Sequence, residues 1–243
     1  MIPAELLQKY GLPERVTADA VEVAVARALS QAFGMDMLVR LEGSLEVIAW
    51  RRDATDERDL IRIEPAGLSK QLQRQVRHHV ERELEKRQVL REWETLRALR
   101  GQVVFGETIR VKRDGCLMVA LGLEDTFRSL ILVGECPLRA QPPRERALYH
   151  TGDIRSFLVT SVLPVQARGR ARVRILLSRS SKDLPVVLLR ERAGQKDIRC
   201  RRRIAGAFSE IETRHWLPRE AIQAVGRELG ERIIIRVLET EKY

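Results

Sequence analysis

From Ala20 to Phe33 the apolar residues Ala20, Val21, Ala24, Val25, Ala28, Leu29 and Phe33 recur at intervals that gather side chains on one face of a helix. Thr17 reads as its N-cap, Asp19 as an acid in its first turn and Gly34 as its stop. The period then changes. Residues 35–52 form two apolar-rich runs joined by Glu42-Gly43-Ser44, a hairpin signal, and residues 59–64 (DLIRIE) alternate as a third strand. A second helical pattern runs from Leu68 to about Arg100 through Leu72, Val76, Val80, Leu84, Leu90, Trp93, Leu96 and Leu99. Its other positions are densely charged, as in a largely solvated connector.

After Gly101 short alternating runs return, at 101–113, 115–123, 128–135, 152–165 and 171–180, with turns at Asp114-Gly115, Gly134 and Gly152-Asp153. Five strands are too few for a sandwich and predict a small closed barrel, with the Pro-rich stretch 137–153 as the long connection between the third and fourth. The helical signal resumes from Ser180 to Arg192, strands follow at 197–204 and 207–213, and Pro218 opens a helix with Ala221, Ile222, Val225 and Leu229 on one face. A strand at 231–238 closes the chain's pattern. The expected class is α+β multidomain: an α/β head with a long connector helix (1–100), a five-stranded β-barrel (101–180) and an α/β module (181–243).

Charge sharpens this division. Residues 1–66 hold 8 Lys/Arg against 12 Asp/Glu, whereas every later segment is basic and the whole chain carries +10. An acidic head on a basic body points to two different partners, and the basic part to a polyanion. Arginine dominates the cations, and its planar fork suits phosphate and stacks on bases. A coding bias toward Arg explains that ratio equally well. Cys116, Cys136 and Cys200 are odd in number and widely spaced, which argues against a disulfide framework or a zinc site and for a reducing cytoplasm. The N-terminus lacks a basic region leading into an apolar stretch, and no apolar run approaches a membrane span, so neither a secretory signal nor a membrane partner is expected. His78 and His79, with Glu83, supply too few ligands for a metal. No GxSxG, P-loop or HExxH motif is present, so no enzymatic activity, metal or cofactor is expected.

The quoted stretches carry a resemblance. Gly101-Gln102-Val103, Cys116–Leu121, Leu130–Glu135, Gly152-Asp153 and the leucine-serine-arginine step Leu177-Ser178-Arg179 resemble an S1-type OB-fold. Ser180–Arg192 is similar to the helix that joins this barrel to a KH domain, and Ala221–Val225 with Glu228–Ile233 to the last helix and strand of a first KH domain. In this order they resemble the bacterial transcription elongation, termination and antitermination factor NusA over nearly the whole chain. The resemblance implies a head (1–100) that docks RNA polymerase near its RNA exit, an OB-fold and a KH-like domain that meet single-stranded RNA, and other Nus-type factors as possible partners. Two departures stand out. The second KH domain of the family has no counterpart, and no glycine occurs between Gly206 and Gly226, so the GxxG loop that clamps the RNA backbone in KH domains is missing. A stand-alone RNA-binding protein that does not act on polymerase is the alternative.

The candidate RNA-binding residues follow from charge and aromaticity. Arg199, Arg201, Arg202 and Arg203 form the densest basic run, although on a regular strand alternate side chains would face opposite sides. Arg168, Arg170, Arg172 and Arg174 bracket the last barrel hairpin. Phe127 beside Arg128, and Tyr149 beside His150, are the aromatic candidates for base stacking, while Phe157 reads as core. Trp216, standing where the clamp is lost, reads either as a cap on the core or as an exposed contact.

Overall fold

Thr17 does not cap a helix; it lies inside one. In the computed structural model, which describes residues 2–42, 44–52, 58–64, 67–122, 132–167 and 169–238, helix α2 spans Glu14–Phe33 and starts one turn early, after Pro13. The Thr17 hydroxyl donates back to the Pro13 carbonyl at 3.1 Å, a bond that satisfies a buried threonine within a helix. A short helix α1 (Ala4–Gln8) precedes it, and Gly34 ends it in the left-handed conformation. Strands β1 (Asp36–Glu42), β2 (Ser44–Arg52) and β3 (Arg58–Ile63) form an antiparallel sheet in sequence order, followed by helix α3 (Lys70–Leu96). At 1.5 Å per residue α3 is about 40 Å long. Its residues Val76, Val80 and Leu84 pack with the α2 stripe and with Val39 and Val47 of the sheet. Leu90, expected on the packed stripe, is exposed, and Val89 is buried instead.

The barrel is closed. Strands β4 (Val103–Val111), β5 (Leu117–Gly122), β6 (Leu132–Cys136), β7 (Ile154–Ala167) and β8 (Arg170–Ser178) follow one another in the order β4-β5-β6-β8-β7, and β7 pairs back onto β4. Strand β4 pairs antiparallel with β5 and β7, and β5 antiparallel with β6, while β6 meets β8 in a short parallel contact. Gly134 marks where the wall closes tightly: a Cβ there would sit 2.5 Å from a methyl of the buried Leu177.

Beyond the barrel come helix α4 (Asp183–Ala193), strands β9 (Arg199–Ile204) and β10 (Phe208–Thr213), helix α5 (Arg219–Leu229) and strand β11 (Arg232–Val237). Strand β10 is central, antiparallel to β9 and parallel to β11. Only five residues separate β10 from α5, so no second helix intervenes. One core joins this module to the barrel, since Val103 and Leu158 of the barrel pack with Leu184, Leu188, Ile211, Val225 and Leu229.

The chain divides into two units, residues 1–95 with 164–173, and residues 96–163 with 174–243. Most of the barrel and all of the C-terminal module fall in the second unit, while residues 164–173 of the β7–β8 hairpin group with the first. Among the described residues no helix is long and apolar enough to cross a membrane, and no group of three or more His, Cys, Asp or Glu could hold a metal ion. All three cysteines are free thiols, and burial pushes that of Cys136 up to about 12.

Candidate nucleic-acid interface

Helices α4 and α5 cover one face of the β9–β10–β11 sheet, where Cys200, Ile211, Ile233 and Ile235 join the core. The register defines the other face. Across it Arg202 pairs with Glu210, Arg199 with Glu212, Arg236 with Glu212 and Arg232 with Phe208. Strict alternation would send Arg201 and Arg202 to opposite sides, but β9 carries a bulge opposite Glu210–Ile211. The extra residue leaves Arg199, Arg201 and Arg202 all exposed. The expectation that the arginine run must be divided between two faces is therefore corrected for three of its four members. Strand β11 adds exposed Arg232 and Arg236.

Five arginines thus surround two glutamates on the middle strand. The ion pairs among them are long and partly exposed, Arg201–Glu212 at 3.8 Å and Arg236–Glu210 at 3.9 Å. Pairs of this kind are worth little in water and exchange readily for an incoming anion. The Arg202 guanidinium lies over the Phe208 ring, 5.5 Å from its centre. The result is an excess-positive, partly apolar surface suited to a phosphodiester backbone.

Arg203 is the exception in the run. Its side chain is 1% exposed and forks onto Glu231, with Nη2 to Oε1 at 2.7 Å and Nε to Oε2 at 3.1 Å. It also donates to the carbonyls of Ser181 and Arg179, while Gly206 N–H and the Ser209 hydroxyl complete the shell of Glu231. A charge so enclosed is not offered to RNA, and Arg203 leaves the candidate set. Arg179, from the leucine-serine-arginine step, is buried in the same way. It grips Glu145 with Nε at 2.7 Å and Nη2 at 2.9 Å, and donates to the carbonyls of Ser156 and Glu228. Burial alone would raise the Glu145 carboxyl, but hydrogen bonds from Arg179 and Tyr149 and the Arg179 charge outweigh it and hold the group below the usual carboxylate range. The two pairs tie the end of the barrel to the arginine-bearing sheet.

Tyr149 belongs to that network and not to a ligand surface. It is 7% exposed, its hydroxyl donates to Glu145, and Arg155 lies over its ring, so no stacking face remains for a base. His150 is exposed in the connection before β7, where its backbone N–H donates to Asp153. Arg170 and Arg172 are exposed on one side of β8, within the stretch grouped with the first unit, so they are described apart from the sheet arginines. Phe127, Arg128 and Arg168 lie outside the described residues. Phe157 is fully buried, as expected of core. The sequence reading missed Arg232 and Arg236, each a lone cation in an isoleucine-rich strand that only the parallel pairing of β10 with β11 brings to the face.

Comparison with known proteins adds no identification: no family model matches the chain, and no curated protein matches it.

Proposed function

We propose that this chain is a single-stranded RNA-binding factor, acting by association and not by covalent chemistry, on the plan of NusA. In this reading it biases RNA polymerase and the emerging transcript among conformations through differential contacts. The observation that carries the RNA-binding part is the open sheet face with five arginines against two glutamates. The barrel is read as an S1-type OB-fold, and its five-stranded closed order, with one parallel contact, suits that class of oligonucleotide-binding barrel. The C-terminal module is read as a KH domain stripped of its clamp, since β10 passes to α5 without the helix and loop that would hold the backbone. The sheet arginines then supply the grip. Polymerase docking rests on the acidic segment 1–66 and on module order, and a cytoplasmic setting on the three free thiols.

The test uses the intact chain. Fluorescence anisotropy with a labelled single-stranded RNA is expected to show binding that weakens in the Arg199→Glu/Arg202→Glu variant. Size-exclusion chromatography with bacterial core RNA polymerase is expected to show co-elution for both proteins. RNA binding without co-elution would move the function to the stand-alone RNA-binding class. No RNA binding by the wild type would remove the nucleic-acid reading.

A further inference from the structure

Trp216 is 81% exposed, the highest value among the large apolar residues described, although its neighbour Leu217 is buried in the core of the module. A single exposed apolar side chain is ordinary on a protein surface, so what matters here is how its segment is held and what surrounds it. The segment that carries it is firmly held. The Trp216 carbonyl accepts a hydrogen bond from Gln195 Nε2 at 3.1 Å, and the Arg214 N–H donates to Asp197 at 2.9 Å. The Thr213 hydroxyl donates to the His215 carbonyl at 3.1 Å and, 3.3 Å from the His215 N–H, accepts from it. The backbone is therefore tied on both sides of the ring while the ring itself meets solvent.

Its surroundings point to the occupant. Arg214, His215 and Arg219 are exposed beside it in sequence, and Lys196 beside its Gln195 anchor. Trp216 follows Thr213, the last residue of β10, and so stands at the end of the sheet where Arg199 and Arg236 flank Glu212. We propose that Trp216 is a base-stacking platform, on which an unpaired base of a single-stranded nucleic acid rests while its phosphates meet the arginines of the sheet. The inference deepens the RNA-binding reading and rests on it. An indole offers a large π-face to any base, so the contact favours unpaired over paired strands without selecting a sequence. Indole N–H and ring edge stay free for solvent, which explains why so polar a rim tolerates the residue.

The experiment separates stacking from charge. Binding of the full chain is measured by anisotropy to a labelled single-stranded oligonucleotide and to an abasic strand of equal length, which has the same phosphates and no bases. Trp216→Ala is expected to weaken binding of the base-bearing strand by roughly 5- to 100-fold, leave the abasic strand unchanged, and be largely rescued by Trp216→Phe. The exposure of the ring lets all three proteins fold alike, which circular dichroism checks. Equal loss on both strands overturns the stacking assignment, because the ring would then act only through the local backbone. No loss on either strand, with binding by wild type intact, also overturns it and leaves the sheet-face reading standing. In that case loss of polymerase co-elution by Trp216→Ala would assign the ring to a protein contact. Failure of the wild type to bind either strand removes the underlying reading and the inference together.

Discussion

At the scale of single residues, this protein uses arginine in two opposite ways. Arg199, Arg201, Arg202, Arg232 and Arg236 remain in water, whereas Arg179 and Arg203 are enclosed and paired with Glu145 and Glu231. Removing one partner of such a buried pair leaves the other charge stranded, at a cost of roughly 3–5 kcal/mol. Glu145→Gln is therefore expected to lower unfolding stability by about that amount in urea titrations at neutral pH. The pH dependence has a definite sign. Because folded Glu145 ionises below its ordinary value of 4.5, its contribution is complete above that value and disappears as pH falls through the lower folded value. The stability gap between wild type and Glu145→Gln should accordingly narrow on acidification below about pH 4.5. A gap that stayed constant down to unfolding would show that the ion pair is not its source.

At the scale of elements, periodicity is informative and register is not. The two long helices, the head hairpin, the barrel strands and the C-terminal order of helix and strand are all legible from apolar spacing, because each buries one face. The start of α2 was misplaced because Thr17 has the chemistry of a cap, and only its bond to Pro13 shows otherwise. The density of RCRRR marks a candidate site, yet a bulge decides which arginines share a face, and nothing in the run itself announces that bulge. The burial of Arg179 and Arg203 is equally hidden, since their partners lie 34 and 28 residues away. Local geometry also sets tolerance to substitution. Gly134→Ala would press a methyl group against Leu177 and is expected to cost roughly 1–3 kcal/mol, as overpacking does. Leu177→Ala should cost more alone, yet the double variant should be more stable than the sum of the two losses, as measured in a double-mutant cycle. Strict additivity would mean that the two residues do not share the space.

At the scale of the whole molecule, polarity is distributed lengthwise: an acidic first segment, then a basic remainder that bears the sheet arginines. If these cations meet phosphates, affinity must fall with salt. For a single strand the slope of log K against log salt is about −0.7 per phosphate contact, so five contacts give roughly −3.5. Arg199→Gln/Arg202→Gln should flatten that slope by about 1.4, and weaken binding evenly across sequences. An unchanged slope would place the strand elsewhere on the protein. The hairpin of β7 and β8 has a consequence of another kind. Its base belongs to the barrel, but residues 164–173 group with the first unit, whose other part ends at Thr95. Translation therefore delivers the first unit in two instalments. At roughly 5–20 residues per second, the ribosome spends several seconds making most of the barrel before the missing piece emerges. The head's core is drawn wholly from residues 2–84, so it can close first and take up the late segment afterwards.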